Sequence, residues 1–165
     1  MENKTPRQRL AAFMPICMTA VLANAAYIGI IYYLEQNGGI GAQSANPDMQ
    51  TYIFKAAVIL SVAMIAIVPF IFKRFVNSYK PKPNDTGDYF TKYISCWIVF
   101  MVTADAVAIF GIIIYFSGGD AQRAYTCIAL STLVLILNLP KRAHLEKLQQ
   151  IEKDVKFQQE LFKDV

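Results

Sequence analysis

Residues 93–116 read YISCWIVFMVTADAVAIFGIIIYF, an apolar run that contains a single charged side chain, Asp105. The hydrocarbon core of a bilayer is about 30 Å thick, and roughly 20 helical residues are needed to cross it. The run is long enough to do so. Three more apolar runs of this kind occur in the chain. Together the four runs indicate the fold class.

The other apolar runs lie at residues 10–34, 56–72 and 124–139, and none of them contains a charged residue. The second has one polar side chain, Ser61, so it lacks the polar stripe of a helix on the surface of a soluble protein. Within a bilayer every backbone amide must be hydrogen-bonded inside its own segment, which leaves helices as the solution for these runs. We therefore predict an all-α, polytopic membrane protein. Its domain of residues 1–140 has four transmembrane helices at about 10–34, 53–72, 93–116 and 124–139.

The composition supports this class. The chain has 165 residues, of which 55% are hydrophobic and 17% charged, whereas soluble domains average about 45–50% and 25%. These values exclude a disordered chain and argue against an ordinary soluble enzyme. The one histidine, His144, has no partner in a metal-ligand pattern, and the three cysteines show no CxxC spacing. We expect a non-enzymatic protein with no catalytic residues, no metal site and no cofactor.

Positive charge is divided unequally between the connections. Of the 16 lysines and arginines, all but Lys55 and Arg123 lie in the N-terminal segment, the second connection or the C-terminal tail. The positive-inside rule then places both termini in the cytoplasm of a multi-pass protein of an inner or plasma membrane. Topology thus accounts for the net charge of +4, and no nucleic-acid partner is expected. Candidate contacts with anionic lipid head groups are Lys73, Arg74, Lys80 and Lys82.

The tail of residues 141–165 differs from the rest of the chain because it is amphipathic. Its apolar side chains recur at intervals typical of one helix face and include Leu148, Ile151, Val155 and Phe162. We predict a cytoplasmic amphipathic helix. It either lies on the membrane surface or the second connection, or it docks a partner protein through these four residues.

The two halves of the membrane domain resemble each other. Residues 23–25 read Ala-Asn-Ala in the first run, and residues 104–106 read Ala-Asp-Ala in the third. Gly38-Gly39 and Gly118-Gly119 follow at similar distances. This pattern is consistent with two duplicated hairpins arranged as parallel repeats. Asn24 and Asp105 would then be symmetry mates that face the bundle axis.

Asp105 is the residue that most needs a physical explanation, because it lies near the middle of its predicted span. A carboxylate there costs about 2.5–3.5 kcal/mol even on the lenient insertion scale. No lysine or arginine lies at a comparable depth to pair with it. Two interpretations follow: Asp105 binds H⁺ or Na⁺, or a protonated Asp105 is an interhelical hydrogen-bonding residue. The candidate partners at similar depth are Asn24, Thr19, Thr103, Ser61 and Ser131.

Residues 104–111, which read ADAVAIFG, resemble the ion-binding helix of the F/V-type ATPase proteolipid, the rotor-ring c subunit. In that family an acidic residue is followed by alanine and then by an aromatic-glycine pair. The resemblance implies that Asp105 would be the carboxylate that binds a proton or Na⁺.

These patterns favour two functions. The first is a subunit or scaffold of a membrane complex, surrounded by membrane lipids, assembled as a homo-oligomer or with other membrane-complex subunits, and carrying a protein-docking C-terminal helix. The alternative is a proteolipid-like bundle that binds or translocates a proton or cation through Asp105.

Overall fold

The structure, a computed structural model, describes residues 6–38, 47–78, 89–118, 120–139 and 141–161, with side chains for 15–38, 47–77, 92–118, 120–139, 141–154 and 157. This part of the chain is all-helical, with no strand. Its five helices are α1 (Pro6–Gln36), α2 (Pro47–Ser78), α3 (Tyr89–Gly118), α4 (Ala121–Leu137) and α5 (Arg142–Leu161). The predicted all-α fold class is confirmed.

Three helices, α1, α2 and α3, are long and apolar enough to cross a membrane. The fourth apolar run forms a shorter helix than the other three. Helix α4 has 17 residues, or about 26 Å at the usual rise per residue. It qualifies as a fourth span only together with Arg142–Asp154, from which it is bent by 44°. The described part of the chain therefore has three such helices, or four if the bent pair counts as one.

The ends of α4 are set by side chains that cap the backbone. Asp120 accepts a hydrogen bond from the backbone N–H of Arg123 at 3.0 Å, as is typical of an N-cap residue. The side chain of Asn138 turns back to donate to the carbonyl oxygen of Val134 at 2.9 Å. Hydropathy predicts a helix over residues 124–139. The caps instead start the helix at Ala121 and end it at Leu137.

Helices α3 and α4 form the closely packed centre of the bundle and run antiparallel. The indole N–H of Trp97, near the start of α3, donates to the carbonyl oxygen of Asn138, just after α4, at 3.0 Å. Helices α1 and α2 each pack against both α3 and α4. No Cα atoms of α1 and α2 approach within 8 Å of each other in the described part of the chain. The two predicted hairpins, α1–α2 and α3–α4, are thus packed differently, since only α3 and α4 form a close helix pair.

Helix α5 folds back on the bundle at the end opposite the α3–α4 connection. Leu145 and Leu148 are buried there in a cluster with Phe72, Val76 and Tyr93. The ammonium group of Lys147 donates to the amide oxygen of Asn77 at 2.5 Å, and Tyr93 Oη lies 3.4 Å from His144 Nδ1. We call this the α5 end of the bundle. The opposite end, where α3 connects to α4, is the α3–α4 end.

Candidate functional site

The interior of the bundle contains a polar contact between α1 and α4. Asn24 is 1% exposed. Its amide nitrogen donates to Ser131 Oγ at 3.1 Å and to Thr132 Oγ1 at 2.9 Å. The Thr132 hydroxyl in turn donates to the carbonyl oxygen of Ile128 at 2.9 Å. Asn24 and Ser131 were both predicted as site residues, and the structure brings them together.

Asp105 lies at the same depth as this contact, as the register of the helices shows. A Cβ atom on Gly111 would meet Ala124 and Cys127, which fixes how α3 sits against α4. Asp105 precedes Gly111 by six residues, a rise of about 9 Å. Ser131 follows Ala124 and Cys127 by seven and four residues, about 6–10 Å. Since Ser131 binds Asn24, the three polar residues occupy one level of the bundle.

Asp105 has one buried carboxyl oxygen to which no described residue donates a hydrogen bond. Its side chain is partly buried, and its Oδ1 atom is buried without a hydrogen-bond partner. Tyr27, one helical turn beyond Asn24 on α1, packs partly buried against the cluster of Ile31, Ala108 and Tyr115. The Oδ1 atom of Asn24 also lacks a partner. This level of the bundle therefore presents two buried oxygen acceptors that the described residues do not supply with donors.

The hydrogen bonds of Asn24 and Ser131 join these two residues and Thr132 rather than Asp105, and the other predicted partners of Asp105 also hydrogen-bond elsewhere. Ser61 is buried in α2 and donates to the carbonyl oxygen of Ala57 at 2.7 Å. Thr103 donates to the carbonyl oxygen of Val99 at 2.9 Å. Sequence reasoning missed Thr132 and Tyr27. Thr132 directly follows Ser131, and Tyr27 lies three residues after Asn24, so closeness in the chain to a predicted site residue was the available signal.

The predicted docking and lipid-binding residues occupy different environments. Leu148 is 2% exposed, and Ile151 packs partly buried against the same cluster, so the bundle itself covers both. The side chains of Val155 and Phe162 lie outside the described residues. Lys73 and Arg74 are exposed at the α5 end, and their contact with lipid head groups stays a prediction. Lys80 and Lys82 also lie outside the described residues.

A proton suits the free oxygens of the Asp105 level better than a metal ion does. Hard cations such as Ca²⁺ and Mg²⁺ take six or more oxygen ligands, and the hydroxyls of Ser131 and Thr132 already bind Asn24. Among the described residues, no three His, Cys, Asp or Glu side chains converge as metal ligands would. A proton on Asp105 would make the carboxyl group a hydrogen-bond donor and remove a buried charge.

The fold and this polar level define a class: an all-helical bundle of candidate membrane spans with an acidic side chain at mid-depth. No family model, curated protein or solved structure matches the chain significantly. The resemblance of residues 104–111 to the proteolipid ion-binding helix stays a prediction.

Proposed function

We propose that the chain is a non-enzymatic integral membrane protein in which Asp105 binds and releases a proton inside the membrane. One observation carries this proposal: a mid-depth carboxyl oxygen, Asp105 Oδ1, is buried without a hydrogen-bond partner in the described structure. An ionised carboxylate is expensive at this depth, whereas its protonated form is neutral. Interhelical hydrogen bonds in membranes average only about 0.6 kcal/mol, too little to explain a midplane acid as a stabilising contact.

The proposal extends the proteolipid resemblance without requiring a rotor ring. It needs only that Asp105 change protonation state at a pH the cell reaches. Na⁺ remains a competing occupant, because monovalent cations also bind carboxylates.

A hydrophobic carbodiimide tests the site, because it modifies protonated carboxyl groups in apolar surroundings. Wild-type protein in detergent is expected to be labelled at Asp105, with labelling lost as the pH rises. Asp105→Asn is expected to remove the label, and Asp120→Asn at the α3–α4 end is the matched control that keeps it. Protection by Na⁺ at constant pH would indicate that Na⁺ is the ligand. Labelling absent at every pH in folded protein would contradict the proposal.

We propose, as a second function, that the protein is a subunit or scaffold of a membrane complex or homo-oligomer. The supporting observation is on α1, where Ala25, Ala26 and Gly29 are exposed and no atom lies within 4 Å of a Cβ built on Gly29. Small residues on an exposed membrane helix let a second helix approach closely.

Partner contacts through α5 would use its distal part, because its proximal apolar face is packed on the bundle. Gly29→Leu is expected to dissociate the assembly in mild detergent. Truncation after residue 154 removes the distal part of α5, leaves Leu145 and Leu148 in place, and is expected to release a partner bound there. A complex of unchanged mass in both variants would contradict this second function.

A further inference from the structure

Basic side chains from two helices come together at the α5 end of the bundle. The ammonium group of Lys147 on α5 donates to the amide oxygen of Asn77 on α2 at 2.5 Å. Lys73 and Arg74 precede Asn77 by four and three residues, so both are its neighbours on the surface of α2. All four side chains are exposed. The packing of α5 therefore places Lys147 beside the two basic residues at the end of α2.

Lys141 extends this group along the start of α5. Lys141, His144 and Lys147 recur at intervals of three residues, and residues three apart are neighbours on a helix surface. The backbone N–H of His144 donates to the carbonyl oxygen of Lys141 at 3.0 Å, so Lys141 belongs to the first helical turn. We call Lys73, Arg74, Lys141 and Lys147 the basic surface of the α5 end.

No acidic side chain of the described residues neutralises the basic surface. None of its four side chains lies within ion-pair distance of a carboxylate in that part of the chain, and the nearby Glu146 pairs with Arg142 at 2.7 Å. The one polar contact of Lys147 across the helices is with a neutral amide. Since like charges repel, docking of α5 leaves a concentration of positive charge that an anion would stabilise.

The basic surface begins where exposed apolar side chains end. On α2, Phe70 and Ile71 are exposed just before Lys73, and Leu139, which follows α4, is exposed two residues before Lys141. Side chains exposed on candidate spans face lipid tails, so basic residues at their border lie level with the head groups. Basic pockets between membrane helices bind anionic head groups. The apolar border on both helices favours a lipid over an acidic protein as the occupant.

We propose that the basic surface binds the phosphate group of an anionic phospholipid, and that this lipid holds α5 on the bundle. The phosphate oxygens accept hydrogen bonds from Lys73 of α2 and Lys147 of α5, with Arg74 and Lys141 on either side. Only the docked helix brings the two sets of bases together, so the lipid shifts the equilibrium toward docking. This inference rests on the membrane setting of the proposed function and is independent of Asp105.

Hydrogen–deuterium exchange of the α5 amides tests the proposal. The full-length protein is placed in nanodiscs of phosphatidylcholine, with or without phosphatidylglycerol. Phosphatidylglycerol is expected to slow exchange in residues 142–154 by about fivefold for each basic residue engaged, the scale of attraction of one base to an anionic leaflet. Lys73→Gln is expected to reduce this protection, although the substitution is on α2. Lys55→Gln, at an exposed lysine near the other end of α2, is the matched control.

Protection by phosphatidylglycerol in wild type and Lys55→Gln that is reduced in Lys73→Gln supports the proposal. Equal exchange with and without phosphatidylglycerol overturns it. Full protection in Lys73→Gln overturns the joint site of α2 and α5. Protection by polyglutamate in phosphatidylcholine nanodiscs, with none from phosphatidylglycerol, assigns the surface to an acidic protein and overturns the lipid. Both substituted side chains are exposed, so the variants are expected to fold, and carbodiimide labelling of Asp105 is unaffected by any of these outcomes.

Discussion

At the scale of single residues, the bundle depends on a close contact at Gly111. A Cβ atom built there would lie 2.7 Å from the carbonyl oxygen of Ala124 and 3.0 Å from Cys127 Cβ. Real Cβ atoms do not approach backbone atoms this closely, so the glycine is what permits this separation of α3 and α4. The same contact holds Asp105 level with Asn24, because it fixes the register of the two central helices.

The first prediction concerns this glycine. Gly111→Ala is expected to destabilise the protein by about 1–3 kcal/mol, since the added methyl group overpacks the α3–α4 interface. Gly29→Ala is the matched control, because no atom lies within 4 Å of the added Cβ and alanine is the better helix former. Unfolding in detergent, monitored by circular dichroism, measures the difference. Equal stability of the two variants would show that the contact at Gly111 does not restrict the packing of α3 against α4.

At the scale of elements, the sequence predicted where helices form better than it predicted where they end. Apolar runs located α1, α2 and α3 because hydropathy reflects burial in lipid. The limits of α4 depend instead on the capping side chains of Asp120 and Asn138, which a hydropathy pattern does not register. The amphipathic pattern of α5 was likewise visible. That its apolar face packs on Phe72 and Tyr93 depends on the bend after Leu137, which is a property of the tertiary structure.

The site was predictable to a similar extent. Asp105 was singled out by its cost in an apolar run. Asn24 and Ser131 were predicted as its partners at similar depth, whereas in the structure Asn24 donates to Ser131 and Thr132. The burial of Tyr115 was not predicted, because tyrosines near helix ends are expected at the membrane interface. Only the packing of α1 against α3 and α4 shows that its hydroxyl is buried.

The second prediction is that acid weakens the packing of α5. Burial, together with the positive charges of Lys141 and Lys147, lowers the pKa of His144 below its ordinary value of 6.5. The undocked helix therefore binds the proton more readily than the docked helix does. Above about pH 6.5 both forms are neutral at His144 and docking does not depend on this group; below it, docking weakens as the pH falls.

The single tryptophan of the chain reports on this equilibrium, because Trp97 is buried beside the start of α5. Its fluorescence is expected to change between about pH 7 and 5 in wild-type protein and to stay constant in His144→Gln. Leu148→Ala provides the reference for weakened docking, at a cost of about 2–5 kcal/mol, and Phe157→Ala on the exposed face is its control. The same pH response in His144→Gln would contradict the role of His144.

At the scale of the whole molecule, charge and packing favour an even number of crossings. The start of α3, the end of α4 and α5 meet at the α5 end, and nearly all the lysines and arginines belong to segments that adjoin it. Helix α4 is short for a span, and its neighbours cover one face of it: Ala124, Cys127, Ile128 and Ser131 are all buried, whereas Leu133 and Ile136 are exposed. A helix shorter than the bilayer is also accommodated by local thinning of the bilayer around it.

The last prediction distinguishes four crossings from three. Single cysteines are placed at Asn37, at the α3–α4 end, and at Lys153, on the exposed face of α5, in a background with Cys17, Cys96 and Cys127 replaced by alanine. An impermeant maleimide added to intact cells is expected to label Asn37→Cys and to reach Lys153→Cys only after permeabilisation, because the positive-inside rule places the basic end in the cytoplasm. Labelling of both from outside would mean that α4 does not cross and that three helices span the membrane. Labelling of Lys153→Cys alone would mean that the whole bundle is inverted, against a charge difference of fourteen bases to two.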